Sequence, residues 1–243
     1  MRTPVCLFAL VVVGLAYATV AVSAGDDPRL SEALRLTDRA IGLCREGKAR
    51  SALPLVKRAA ELHEAVFGRL HYRHAISLDN LGKVSLEVGD VEGAIASFRR
   101  SASIRREILG EQHPDYAESI ANLADCFQYA REWAEAERAY REALNILDGK
   151  GVRGLSVVHI LVNLGHLYEV TDRHAKAIPM LHRAMELFRS AGRIEEAGYA
   201  AVLVNLGRCR QRLGDFESAE QLYQEAAEVK AGLFPDGHPA RAT

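Results

Sequence analysis

The chain has 243 residues, 49% apolar and 26% charged, with 31 basic against 32 acidic side chains. Its 19 glycines and 7 prolines are too few for a collagen-like or linker-like chain, and the apolar content excludes disorder as the main state. A formal net charge of -1 supplies no global field to hold a polyanion, which argues against non-specific binding to nucleic acid or to an anionic membrane.

Residues 1–24 read as a secretory signal peptide. Arg2 is the single charge, Val5 to Ala21 is an apolar run, and Val22-Ser23-Ala24 offers small residues for cleavage ahead of Gly25-Asp26-Asp27-Pro28. The run is nearly long enough to span a bilayer, so an uncleaved anchor is the alternative. Its Ala, Gly and Thr content and the placed Ser-Ala site favour cleavage. Cys6 stands too near the start to be a lipoprotein acylation site. An exported chain, periplasmic or secreted, is expected, with a signal-anchored envelope factor as the other reading. Residues 25–32 form a short lead.

Internal repetition dominates the chain from residue 33 onward. Asn precedes Leu-Gly or Leu-Ala at Asn80, Asn122, Asn163 and Asn205, with spacings of 42, 41 and 42. Thirteen residues after each Leu stands an Ala (Ala94, Ala136, Ala177, Ala219). Four further on is a bulky residue (Phe98, Tyr140, Leu181, Tyr223), and three beyond that a small one (Ser101, Ala143, Ala184, Ala226). Two apolar stripes at helical spacing, joined by a turn such as Gly89-Asp90 or Gly214-Asp215, make each unit a helix hairpin. A weaker first copy keeps Leu36, Ala40, Leu43, Ala52, Val56 and Ala59, with Asp38 and Arg39 in place of Asn and Leu.

This spacing, with Tyr168 as the large residue after Leu-Gly in the best copy, resembles the tetratricopeptide repeat. The period of about 42 and the loop Leu109-Gly110-Glu111-Gln112-His113-Pro114-Asp115-Tyr116-Ala117, echoed from Phe67-Gly68 to Ala75 and at His238-Pro239, are similar to the longer variant found in kinesin light chain. Pro54 and Pro179, at one place in their second helices, fit that variant. The resemblance implies an all-α, right-handed superhelical solenoid of about five hairpins, with repeats near 33–74, 75–116, 117–157, 158–199 and 200–241. Residues 33–243 would form one solenoid stabilised by neighbour stacking.

The resemblance places the first helix of each hairpin on a concave groove. Asn80, Asn122, Asn163 and Asn205 then form a ladder whose carboxamides offer the donor and acceptor needed to grip a peptide backbone. The alternative is that they bridge helices and bind nothing. One turn on come Lys83, Asp125, His166 and Arg208, with Glu87, Gln128, Tyr129, Glu169 and Arg212 beyond them. Arg208 and Arg212 suggest an acidic ligand segment, and Asp79, Glu87 and Asp125 a basic one. The preceding positions, Thr37, Asp79, Ala121, Val162 and Val204, depart from the pattern that clamps a C-terminal carboxylate.

Catalytic and metal readings find little support. Gly149-Lys150-Gly151-Val152-Arg153-Gly154 matches a dinucleotide-binding string but lacks the strand that the motif requires. His159, His166 and Glu169 share a helical face but are too spread for one ion, and His71-x-x-His74 reads as a helix start. No nucleophile elbow or zinc-protease motif occurs. The expectation is a non-catalytic scaffold for a protein or peptide, with no cofactor; a small metal protein or hydrolase built on the His-rich fourth copy is the alternative. Cys44, Cys126 and Cys209 fall in alternate copies, beyond disulfide reach of one another, so three free thiols are expected. Phe216, Leu222, Tyr223 and Val229 suggest an uncapped apolar face on the last helix, open to self-association or a partner.

Overall fold

The computed structural model describes residues 27–194 and 196–233; the signal segment and the His238-Pro239 motif lie outside them. The fold is all-α. Ten helices succeed one another among the described residues: α1 (Pro28–Arg45), α2 (Ala49–Phe67), α3 (Tyr72–Glu87), α4 (Val91–Leu109), α5 (Pro114–Tyr129), α6 (Trp133–Gly149), α7 (Leu155–Val170), α8 (His174–Ser190), α9 (Ala197–Arg212) and α10 (Phe216–Leu233). They divide into two compact units at Ala130/Arg131. In the first, α1 packs on α2 and α3 on α4, α2 and α4 lead onto α3 and α5, and α3 also meets α5. In the second, each helix from α6 to α10 packs on the next, and α7 meets α9.

Local chemistry sets the helix ends. Asp27 caps α1 ahead of Pro28, and Asp90 caps α4 by accepting the Gly93 N–H at 3.0 Å. Two histidines do the same 42 residues apart. Nδ1 of His71 accepts from the Arg73 N–H and Nδ1 of His113 from the Asp115 N–H, both at 3.1 Å. The helix-start reading of His71 is thereby given a mechanism. Two residues before each second helix the backbone turns left-handed, at Gly47, Gly89, Arg131, Asp172 and Gly214. Glycine adopts this conformation freely, whereas Arg131 (φ 63) and Asp172 (φ 58) hold it against their own Cβ atoms. Pro54 and Pro179 lie one turn into α2 and α8 with exposed rings, and both helices continue through them.

The pairing distance within a hairpin is set by one contact. A Cβ added at Gly82 would stand 2.7 Å from the ring of Phe98; at Gly165 it would meet Leu181 at 2.8 Å, and at Gly207 Tyr223 at 2.7 Å. The bulky residue of the second helix thus sits directly on the glycine backbone of the first. Phe98 and Leu181 are buried there, beside Ala94 and Ala177. Tyr223 belongs to this seat rather than to an open face; of the four apolar residues expected to be uncovered on α10, Phe216 alone is largely exposed, at 67%.

Junctions between hairpins differ along the chain. At one repeat position stand His63, Arg105, Leu147 and Phe188, and opposite them, one helix later, Ser77, Ser119, Ile160 and Val202. His63 bonds Ser77, and Arg105 donates to Ser119 at 2.7 Å. Leu147, Ile160, Phe188 and Val202 are buried apolar side chains. At this position the first unit therefore pairs polar side chains and the second apolar ones.

Gly82→Ala should destabilise the chain by about 1–3 kcal/mol in urea unfolding, because Phe98 has nowhere to move. Arg131→Gly should stabilise it by about 1 kcal/mol by relieving the left-handed turn.

Candidate functional site

In the first unit the residues expected on a binding wall lie on α3 and α5. Asn80 and Asn122 are half-buried, and neither carboxamide takes a hydrogen-bonding partner among the described residues. Lys83, Glu87 and Tyr129 are exposed, while Asp125 and Gln128 are half-buried. Glu87 also receives the Cys44 thiol of α1, and burial with this contact pushes that thiol up to about 11.

Asp79 requires a correction. Expected to face a basic ligand, it is instead buried at 6% exposure, its Oδ2 2.7 Å from the guanidinium of Arg105, itself 4% exposed. Arg105 also donates to the Asp115 carbonyl at 2.9 Å and to Ser119, and Ser101 donates to the Ala75 carbonyl at 3.1 Å. Burial raises the Asp79 carboxyl above its ordinary range, opposed chiefly by Arg105. The pair ties α3, α4 and α5 together from inside. Asp79 precedes the ladder asparagine by one residue, so helical rotation carries its side chain off the wall and into the junction.

The second unit treats its asparagines differently. The Asn163 amide is 2.9 Å from Nε2 of His159, one turn earlier on α7. Asn205 is 6% exposed and its Oδ1 accepts from Arg208. Arg208 in turn reaches from α9 to Glu169 on α7, with N···O distances of 3.1 and 3.3 Å. His166 lies half-buried nearby, and burial holds its pKa below the usual histidine value against the pull of Glu169. Arg208 is itself exposed but pairs with Glu169, whereas Arg212 is exposed and makes no ion pair among the described residues.

Other polar groups serve to join helices. Glu137 of α6 accepts from Tyr168 at 2.9 Å and from Arg173 at 2.6 Å, and these hold its carboxyl low against the opposing effect of burial. An open cleft of about 660 Å³ lies where Asp148 is held by Arg153 and Arg183, the latter at 2.8 Å. The glycine string 149–154 runs from the end of α6 to the cap of α7, with no strand beside it. Among the described residues no three His, Cys, Asp or Glu side chains converge as a metal site. No described helix is long and apolar enough to cross a membrane. Cys44, Cys126 and Cys209 are free thiols, as their spacing implied, and burial pushes Cys126 up to about 12 and Cys209 up to about 11.

The family model of the tetratricopeptide repeat matches residues 80–148 and 156–231, more than half of the chain. The chain belongs to the tetratricopeptide-repeat family. Within it, the chain is similar to proteins of kinesin light chain type. Kinesin light chain-related protein 3 of Arabidopsis thaliana is 24% identical over 200 residues, which cover 81% of this chain and 30% of that one. This tetratricopeptide chain thus spans under a third of that relative. Among solved structures, a Podosopora anserina protein of kinesin light chain type with nearly identical TPR-like repeats superposes with a TM-score of 0.68 at 18% identity, covering 86% of this chain and 98% of the other. BtubC of P. vanneervenii gives 0.62 at 21% identity, covering 87% and 94%. These likenesses establish the fold. Tetratricopeptide proteins generally act as protein–protein interaction scaffolds, and the fold is typically non-catalytic.

Asp79→Ala should cost about 3–5 kcal/mol, because Arg105 is left charged and buried. The double change Asp79→Val, Arg105→Leu, which copies Val162 and Leu147 of later repeats, should regain most of that loss in the same urea titration.

Proposed function

We propose that this chain is a non-catalytic adaptor that holds an extended peptide or protein segment on the wall formed by α3 and α5. The observation that carries this reading is the state of Asn80 and Asn122: half-buried carboxamides on adjacent helices α3 and α5, each with donor and acceptor unspent. A peptide backbone presents a matching N–H and C=O pair, and it would be gripped without regard to its side chains. Lys83, Gln128 and Tyr129 stand close by in sequence to add selectivity, and Asp125 and Glu87 favour a segment with some basic character. Asn163 and Asn205 of the second unit are already engaged with His159 and Arg208 and are left out of the grip. The composition of residues 1–24 supports an exported setting.

The test is a selection of random extended peptides on the wild-type chain, then fluorescence anisotropy on the winners. Two carboxamides making paired bonds at about 1 kcal/mol each predict a loss of at least tenfold in affinity for Asn80→Ala, Asn122→Ala, and little change for Asn163→Ala, Asn205→Ala. Equal binding by wild type and the first double variant would make the ladder structural.

A further inference from the structure

The junction between α2 and α3 carries three histidines within one corner. His63, 9% exposed, bonds the Ser77 hydroxyl through Nδ1. Its ring stacks towards Phe67 with centroids 6.0 Å apart, and Phe67 stacks on His71 at 4.4 Å and 12°. His71 uses its unprotonated Nδ1 to cap α3, so a proton on that nitrogen removes the cap. His74 is 1% exposed, with Nε2 3.8 Å from Glu64. At the matching position the later repeats carry Tyr116, Val157 and Tyr199, and for His63 they carry Arg105, Leu147 and Phe188. No later junction has this concentration of titratable rings.

The surrounding charges are mostly positive. Arg73 of α3 lies over the Phe67 ring at 5.6 Å, Arg69 of the connecting loop is 2.9 Å from Glu64, and Arg100 of α4 is 2.8 Å from it. Glu64, the carboxylate facing the cluster from α2, is thus already shared by two guanidiniums. From α1, Glu32 is taken by Arg58 at 3.7 Å. On the far side of α3, Asp79 is taken by Arg105. New positive charge in this corner would meet burial, like charge and a carboxylate with little to spare.

We propose that the α2–α3 junction is an acid-sensitive hinge, at which protonation of its histidines releases the α1–α2 hairpin from α3 while the second unit stays folded. Burial, with Arg73 next, lowers His63 from 6.5 to about 4, and burial lowers His71 and His74 as well. Groups held neutral in this way contribute their full stability above pH 6.5 and lose it as the pH falls towards 4. Opening is thus favoured by acid and reversed on return to neutrality.

Hydrogen exchange of the full chain, read by mass spectrometry at pH 7.5 and 5.0 with correction for intrinsic rates, tests this directly. His63 alone predicts a loss of protection of about thirtyfold at pH 5 in α1 and α2, with α7–α9 unchanged. His63→Leu with His74→Tyr, side chains already used at the matching places, should abolish that difference. His71→Asn, which keeps a cap that does not titrate, should reduce it and provides a milder variant should the double one not fold. Protection retained at pH 5 in the wild type, lost together in both units, or lost unchanged in the folded variants would overturn the hinge.

Discussion

The seating of a large side chain on a bare glycine backbone governs how closely the helices of a hairpin can approach. Gly82 under Phe98, Gly165 under Leu181 and Gly207 under Tyr223 are three instances of one contact, and in each a single added carbon would stand within 3 Å of the seated group. Interiors packed to this density do not yield by small degrees. The alanines beside each seat, Ala94, Ala177 and Ala219, are small for the same reason and are buried.

What joins one hairpin to the next is less uniform. The first unit uses Arg105 with Asp79 and Ser119, and His63 with Ser77, whereas the second buries Leu147, Ile160, Phe188 and Val202 at the matching places. Apolar junctions carry no titrating group and are indifferent to pH. Polar ones are specific, because each partner left alone carries a full desolvation cost. In a repeat protein, where stability is close to a sum of neighbour terms, such a difference concentrates conditional behaviour at particular junctions. Tyr199, with Arg189 and Glu225, and Tyr168, with Glu137 and Arg173, add polar links to the second unit at its edges and leave its apolar centres intact.

Periodicity made the hairpins, the turns at Gly89-Asp90 and Gly214-Asp215 and the seats of the bulky residues readable from the chain alone, since each depends on residue type at a fixed interval. Depth was harder to read. Asp79 and Asn80 are neighbours in sequence, yet one is sealed inside with Arg105 and the other faces outward, and a spacing rule gave both to the same wall. The partner that decides the matter lies 26 residues away on another helix. Arg208 poses the same difficulty: its pairing with Glu169 on the preceding first helix depends on a distance between helices rather than on spacing along one of them. The capping role of His113, by contrast, was within reach of the sequence, since it stands 42 residues after His71 at the same helix start.

The three thiols have a bearing on how this protein can be observed. Cys44, Cys126 and Cys209 fall near the ends of first helices in alternate repeats, with values of about 11, 12 and 11. Burial keeps each of them protonated at neutral pH, the form that oxidants and alkylating reagents attack slowly. Among the described residues, Cys126 and Cys209 are buried and Cys44 partly so, and none of the three is in a disulfide. Each thiol becomes reactive when its own helix is exposed, which turns the three into built-in clocks for local opening along the chain, one near each end and one at the middle.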